Sequence, residues 1–256
     1  MKSHKTVGGS LFFLENRPLM SDSTLSGSAA TIKGRRYLFK GGIMPAPLRI
    51  AYPGAHYHIV ARGNNKSDLF FDTADRLEYL KRLRVSIGEF DIRVHAYALM
   101  TNHVHLFLET QLANISEFMF DITLGFTKYI NSKYSRTGHL FETRFKSRLV
   151  QKDAYFLSLL RYIHINPAKA GIVAKPESYA WSSHHAYLVG GDGVVQNPWE
   201  ALALFSENPE RALKRYIEFM NQDIPPEEWK ILDSKRNGFL GDAQFRRQFR
   251  CAQSKR

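Results

Sequence analysis

The sequence predicts an α+β fold: a ferredoxin-like antiparallel sheet with helices on one face, plus one extra helix and a small C-terminal helical appendage. Three observations lead there. Short stretches alternate apolar and polar residues, as half-buried strands do. Two longer stretches space apolar residues three and four apart, as amphipathic helices do. These stretches follow one another in the order β-α-β-β-α-β, which is the ferredoxin-like order. With 256 residues and 44% hydrophobic content, the chain can bury one good core and a smaller attachment.

Residues 1–43 read as a leader outside the fold, with Met44 as an alternative start. Within them SDSTLSGSAA (21–30) is small and polar and is expected to be disordered, and a basic run, Lys33 to Lys40, follows. From Met44 the pattern sharpens. His56–Ala61 alternates as a strand, and Arg62-Gly-Asn-Asn65 closes it with a turn. Thr73 to about residue 88 is expected to be a helix capped by Thr73, with Leu77, Leu80, Leu83 and Ile87 on or near one face. Ile92–Leu99 is a second strand, and Met100–Asn102 turns it into a third, His103–Glu109, as a hairpin.

Asn114-Ile-Ser-Glu117 resembles a capping box opening a helix to about Tyr134, with Phe118, Ile122, Phe126 and Ile130 in its stripe. Arg144–Val150 reads as a basic strand. Asp153 then caps a helix, Ala154–Ile165, which Asn166-Pro167 terminates. Residues 44–190 are thus expected to form one domain. Residues 195–256 are expected to be a basic appendage, with short helices over 199–205, 209–220 and 227–233 and an arginine-rich tail.

The chemistry concentrates in two places. His103 and His105 are one residue apart on a strand, so both imidazoles project to one face while Val104, Leu106 and Leu108 project to the other. Two neutral imidazoles on a rigid strand make two-thirds of a divalent-metal site. Tyr162 and Asn166 are four apart and share a helical face. The Asn166 amide is a reasonable third ligand for Mg²⁺ or Mn²⁺, and the Tyr162 phenol is the candidate nucleophile on a phosphate polarised by that ion. Tyr155, seven residues earlier, is the rival nucleophile, but it has Leu159 rather than a ligand at i+4. His56, His58, His95 and His164 read as structural groups or DNA contacts, with His95 on the strand beside His103 and His105.

Charge points to the partner. The chain carries 36 Lys+Arg against 24 Asp+Glu, a net +12, which suits a polyanion, nucleic acid before membrane. No apolar run approaches the roughly 20 residues of a membrane span. Arg144, Lys146 and Arg148, spaced by two, put three cations on one side of a strand as a phosphate track requires. Arg62, Asn64 and Arg161 are further candidate DNA contacts. The single cysteine, Cys251, allows no intramolecular disulfide and fits a cytoplasmic setting, nucleoid-associated when bound to DNA.

The motifs resemble one family. His103-Val-His105 resembles the metal motif of HUH single-strand nucleases. Residues 47–58 with Arg62-Gly-Asn64, 99–105, 138–146, Tyr162-Ile-His-Ile-Asn-Pro167 and Trp181-Ser-Ser183 resemble REP-associated tyrosine transposases, in order, over about residues 44–187. The resemblance implies a single-tyrosine transposase catalytic domain over 44–190. It implies cleavage of hairpin-containing or palindromic single-stranded DNA through a 5′-phosphotyrosine link that frees a 3′-OH. Carried over, His103 and His105 match the metal ligands, Tyr162 the nucleophile and Asn166 the polar residue one turn on; a homodimer is also implied. Two other readings stay open: a nucleic-acid-binding module on the same fold without cleavage, and a metal-dependent phosphodiesterase that uses water.

Overall fold

The computed structural model describes residues 29–32, 35–38, 49–234 and 238–253. It divides into two compact units, Met1–Ala46 and Pro47–Arg256. In the first, where an unstructured leader is expected, β1 (Ala29–Ile32) and β2 (Arg35–Leu38) pair antiparallel. Two residues, Lys33 and Gly34, separate them in the sequence, a length that hairpins favour. The rest of the expected leader lies outside the described residues.

The second unit contains a five-stranded sheet in the order β4-β5-β3-β6-β7. Its strands are β3 (Ala55–Arg62), β4 (Ile92–Leu99), β5 (His103–Thr110), β6 (Lys146–Val150) and β7 (Gly238–Leu240). The first four are antiparallel neighbours, as the ferredoxin-like order requires, with β3 in the centre. The long helices are α1 (Thr73–Phe90), α2 (Ile115–Lys133) and α3 (Lys152–Lys169).

Strand alternation divides the sheet cleanly. Val104, Leu106 and Leu108 point to the face that α1 and α2 cover, and all are fully buried with Leu83, Phe118, Ile122 and Phe126. His103, His105, Phe107 and Glu109 point to the other face. There α3 packs, with the Phe156 ring 5.0 Å from that of Phe107. Leu77, expected near the apolar face of α1, is 53% exposed.

Helix ends differ from expectation for identifiable reasons. The cap of α1 is Asp72, not Thr73: Asp72 Oδ1 accepts from the Asp75 amide and Asp75 Oδ2 accepts from the Asp72 amide. Lys133 on α2 then bridges both carboxylates at 2.7 Å each. Asn114 does not cap α2, because its Nδ2 donates to the Phe90 carbonyl at 2.7 Å instead. The N-cap of α3 is Gln151 rather than Asp153, and the helix runs through Pro167 to Lys169. A proline so close to the C-terminus costs one ladder bond and leaves little helix to distort. The extension keeps Asn166 in helical register with Tyr162.

β6 begins at Lys146 rather than Arg144. The preceding run instead zips to the end of β3, with the Asn64 amide donating to the Leu140 carbonyl at 2.8 Å and the Glu142 amide to the Arg62 carbonyl at 2.9 Å. The C-terminal part contains α4 (His184–Val189), α5 (Trp199–Leu202), α6 (Pro209–Met220), α7 (Pro226–Leu232) and α8 (Ala243–Gln253). It is not purely helical: β7 joins the sheet parallel to β6, with Leu149 opposite Phe239. Three residues are too short for a pattern, so this strand leaves no periodic signal. Tyr216 of α6 anchors the same part, its hydroxyl meeting His164 Nδ1 at 3.0 Å and His184 Nδ1 at 2.6 Å.

Candidate active site

β5 delivers His103 and His105 to the α3 face of the sheet, their ring centroids 4.9 Å apart. A hydrogen bond orients each imidazole from behind. His103 Nδ1 meets Asn102 Oδ1 at 2.7 Å, and His105 Nδ1 meets His58 Nε2 at 3.0 Å. With Nδ1–H as donor in both, each ring carries its lone pair on Nε2, the form in which imidazole ligates metal. Burial, the neighbouring His103 and His58 and the Arg62 charge hold His105 well below its ordinary pKa; burial and Arg148 push His58 down to about 3. Both rings are therefore neutral at physiological pH.

α3 delivers Tyr162 above them. Its ring stands edge-on to His105 and His58, with centroids 5.7 Å and 5.8 Å away. The phenol is almost wholly buried, donates to Asp233 Oδ1 at 3.0 Å, and packs beside Trp229 at 4.9 Å. Burial raises its pKa well above the ordinary value; the Asp233 carboxylate adds to this, while the hydrogen bond with Asn166 opposes it.

These groups line a cleft of about 200 Å³. His103, His105, Tyr162 and Asn166, predicted from separate parts of the sequence, all face it. So do Arg62, Arg144, Lys146 and Arg148, together with Glu142 and Asp233. Arg148, however, is buried, and its Nη1 donates to the Ile231 and Leu232 carbonyls at 2.8 and 3.1 Å. It tethers α7 while lending charge to the cleft. Asn64 lies outside the cleft lining, in an exposed single turn of 3-10 helix.

Arg161 departs from its expected role as a DNA contact. It is buried, with its guanidinium 4.1 Å over the Phe219 ring and an ion pair to Glu228 at 3.5 Å. Neighbouring Tyr162 on a helix, it points about 100° away and anchors α6 and α7. His95 departs too: it lies beside His56 and Glu109, not beside His103 and His105.

Sequence reading missed three participants. His58 had a visible signal, because it alternates with His56 toward the same face as His105, but its partner depends on strand pairing. Asp233 and Trp229 had none, since Asp233 reaches the cleft and Trp229 reaches the Tyr162 ring only through tertiary packing.

The fold and the cleft define a class: an α+β protein whose sheet presents paired histidines to a helical tyrosine. Comparison with known proteins narrows it. Residues 51–166 match the family model described as "Transposase IS200 like", a span that includes both histidines, Tyr162 and Asn166. A solved structure of a REP-associated tyrosine transposase bound to a REP hairpin has the same fold, with a TM-score of 0.50 and 17% identity, covering 57% of this chain and 86% of that one. The family model thus agrees with the transposase resemblance carried by the motifs over residues 51–166, and the solved structure agrees with the fold. No curated protein matches the chain in sequence. Among the described residues, no helix is long and apolar enough to cross a membrane.

Proposed function

We propose that the chain is a single-tyrosine transposase-type endonuclease and strand transferase acting on hairpin-containing single-stranded DNA. The observation that carries this is the edge-on stand of Tyr162 over His105, with Asn166 one turn on, inside a cleft lined by Arg62, Arg144 and Lys146. The family match over 51–166 and the hairpin bound by the structural neighbour supply the substrate class.

The donor set fits a hard divalent ion. His103 and His105 would hold it through Nε2 and Asn166 through its amide oxygen, with Mg²⁺ or Mn²⁺ as the candidates. When bound, the ion polarises the scissile phosphate and neutralises charge developing on it. The protein's own residues do the rest. Arg62, Arg144 and Lys146 seat the DNA backbone against the cleft. The Tyr162 oxygen attacks phosphorus, and its proton passes to the Asp233 carboxylate that already accepts its hydrogen bond. The P–O bond to the 3′ oxygen breaks, leaving a free 3′-OH and a 5′-phosphotyrosine. Attack by a 3′-OH on that link reverses the step and reseals or transfers the strand.

The test is a denaturing gel of protein with labelled hairpin single-stranded DNA and Mg²⁺ or Mn²⁺, for wild type and Tyr162→Phe. The substrates come from repeated palindromes flanking the gene. The expected result is label migrating with wild-type protein only, and only with metal. Cleavage that persists in Tyr162→Phe without an adduct would mean water is the nucleophile. Tight binding without cleavage in both would mean a binding module.

A further inference from the structure

We propose a second metal site, separate from the catalytic cleft, in which His56, His95 and Glu109 hold one Zn²⁺ ion. His56 Nε2 lies 3.7 Å and His95 Nε2 3.8 Å from the same oxygen of Glu109, Oε2, and the three donor atoms lie within 4.8 Å of one another. All three residues are buried. Both Nε2 atoms are shielded from solvent and have no hydrogen-bond partner. A buried imidazole nitrogen normally finds a partner, because leaving it without one forfeits about 1–3 kcal/mol. Two of them aimed at one carboxylate oxygen are two lone pairs converging on a cation's place.

The surroundings complete the pattern. His56 Nδ1 lies 3.0 Å from the Gly54 carbonyl, so it carries the hydrogen and Nε2 the lone pair. His95 Nδ1 faces Glu200 Oε2 at 4.0 Å. A carbonyl or carboxylate behind each ligating histidine is the usual outer shell of a metal site. Burial holds both imidazoles below their ordinary pKa, in the neutral form that ligates. Arg93, half exposed, now pairs with Glu109 Oε2 at 3.2 Å and with Glu200 Oε2 at 3.6 Å, and Lys152 holds Glu200 Oε1 at 2.9 Å. These cations balance the carboxylates without metal, and the exposed Arg93 head can withdraw to Glu200 when an ion takes its place.

Strand pairing builds this cluster. Along β4, Val94 pairs with Leu108 and Ala96 with Phe107, so His95 is the extra residue of a bulge. Alternation from Val94, whose partner Leu108 faces α1 and α2, turns position 95 to the α3 face, the side of Glu109. The bulge gives the place opposite Phe107 to Ala96 and leaves His95 beside His56 and 4.8 Å from the Phe156 ring. Zinc with two imidazoles and a carboxylate binds at about 2.0–2.2 Å per ligand, which separates tetrahedral donors by roughly 3.3 Å. Closing the two histidine–carboxylate gaps therefore requires about half an ångström of movement. Two imidazoles with one anionic carboxylate, buried away from water, form a common zinc donor set. The site lies four residues along β5 from His105, roughly 13 Å away, and the Phe107–Phe156 contact stands between them. Such an ion would tie β3, β4 and β5 together.

The test separates the two sites by removing the first. A His103→Ala/His105→Ala variant is treated with chelator, re-equilibrated with Zn²⁺, and assayed for bound metal after gel filtration. Co²⁺ serves as a visible reporter. The expected result is one equivalent of Zn²⁺, a cobalt ligand-field spectrum, and a higher melting temperature that chelator reverses. Adding His95→Gln or, separately, Glu109→Gln should abolish all three. A folded double variant that retains well under one equivalent overturns the proposal. Full binding that survives both added substitutions overturns it as well, because the ion then lies elsewhere. Should either added variant misfold, anomalous scattering at the zinc edge in crystals of the double variant locates the ion directly.

Discussion

His58 should tune the metal proposed at His103 and His105 without touching it. Its Nε2 is the hydrogen-bond partner of His105 Nδ1 at 3.0 Å, in a fully buried setting. Its own Nδ1 is buried with no partner, so His58 is not placed there to satisfy itself. Replacement by Phe keeps the ring volume but leaves the His105 Nδ1–H without an acceptor, a loss of about 1–3 kcal/mol that favours other ring orientations. Outer-shell substitutions of this kind cost about 10–100-fold in metal affinity. In His58→Phe the Mn²⁺ concentration giving half-maximal phosphotyrosine formation should rise by that factor, with yield recovering at saturating metal. His58→Gln, which can return a carbonyl acceptor, should recover part of the difference. Reading metal dependence through the adduct isolates this site from any other ion. An unchanged Mn²⁺ midpoint in folded His58→Phe would refute the reasoning, as would a loss of cleavage that no metal concentration restores.

Three further outcomes follow from the same geometry. In Asp233→Asn the phenol loses a neighbouring negative charge, so the Tyr162 pKa should fall in an ultraviolet titration. The cleavage rate at neutral pH should nevertheless drop by about 10²-fold, because the proton acceptor has gone; a faster rate would show that Asp233 merely restrains the phenol. Tyr216→Phe removes the hydroxyl shared by two buried imidazoles and should lower unfolding stability by about 1–3 kcal/mol in denaturant titration, whereas an unchanged midpoint would mean that the His164 and His184 contacts contribute nothing. At the start of α1, hydrogen bonds from Lys133 and the Asp75 amide lower the Asp72 carboxyl to about 2. Burial pushes Asp75 up, but bonds from Lys133, the Phe71 amide and Tyr134 outweigh it and leave the carboxyl below 3.8. Depressed carboxyls lend stability that is complete above the unfolded pKa near 4 and lost as pH falls through the folded values. The melting temperature should therefore decline as pH drops from about 4 toward 2, and Lys133→Met should flatten that decline.

Much of this architecture was legible because it obeys simple periods. The strand pleat puts His103 and His105 together, the helical turn puts Tyr162 and Asn166 together, and amphipathic spacing marks α1 and α2. What escaped reading breaks a period or acts over distance. His95 sits at a bulge that gives its place opposite Phe107 to Ala96, a shift no alternation rule anticipates. Asn166-Pro167 looks like a helix end, yet the proline falls in the last turn where its cost is small. Arg161 resembles a DNA contact until Phe219 and Glu228, more than fifty positions later, enclose it. Asp233 enters the cleft only after α7 has been folded back by Arg148.

Short as it is, β7 changes what the outside of the sheet offers to other chains. β6 would otherwise end the sheet with open amides and carbonyls, the template on which foreign strands add. Residues 238–240, drawn from the far end of the chain, occupy that template in parallel register. The opposite border is partly closed as well, because the Leu99 amide donates to the Trp181 carbonyl and the Ser183 amide to the Tyr97 carbonyl. A chain cut before residue 238 would keep every residue matched to the transposase family, yet its β6 flank would be unsheathed and self-adhesive. The open edge of the sheet and the residues matched to the family are thus governed by different segments of the same chain.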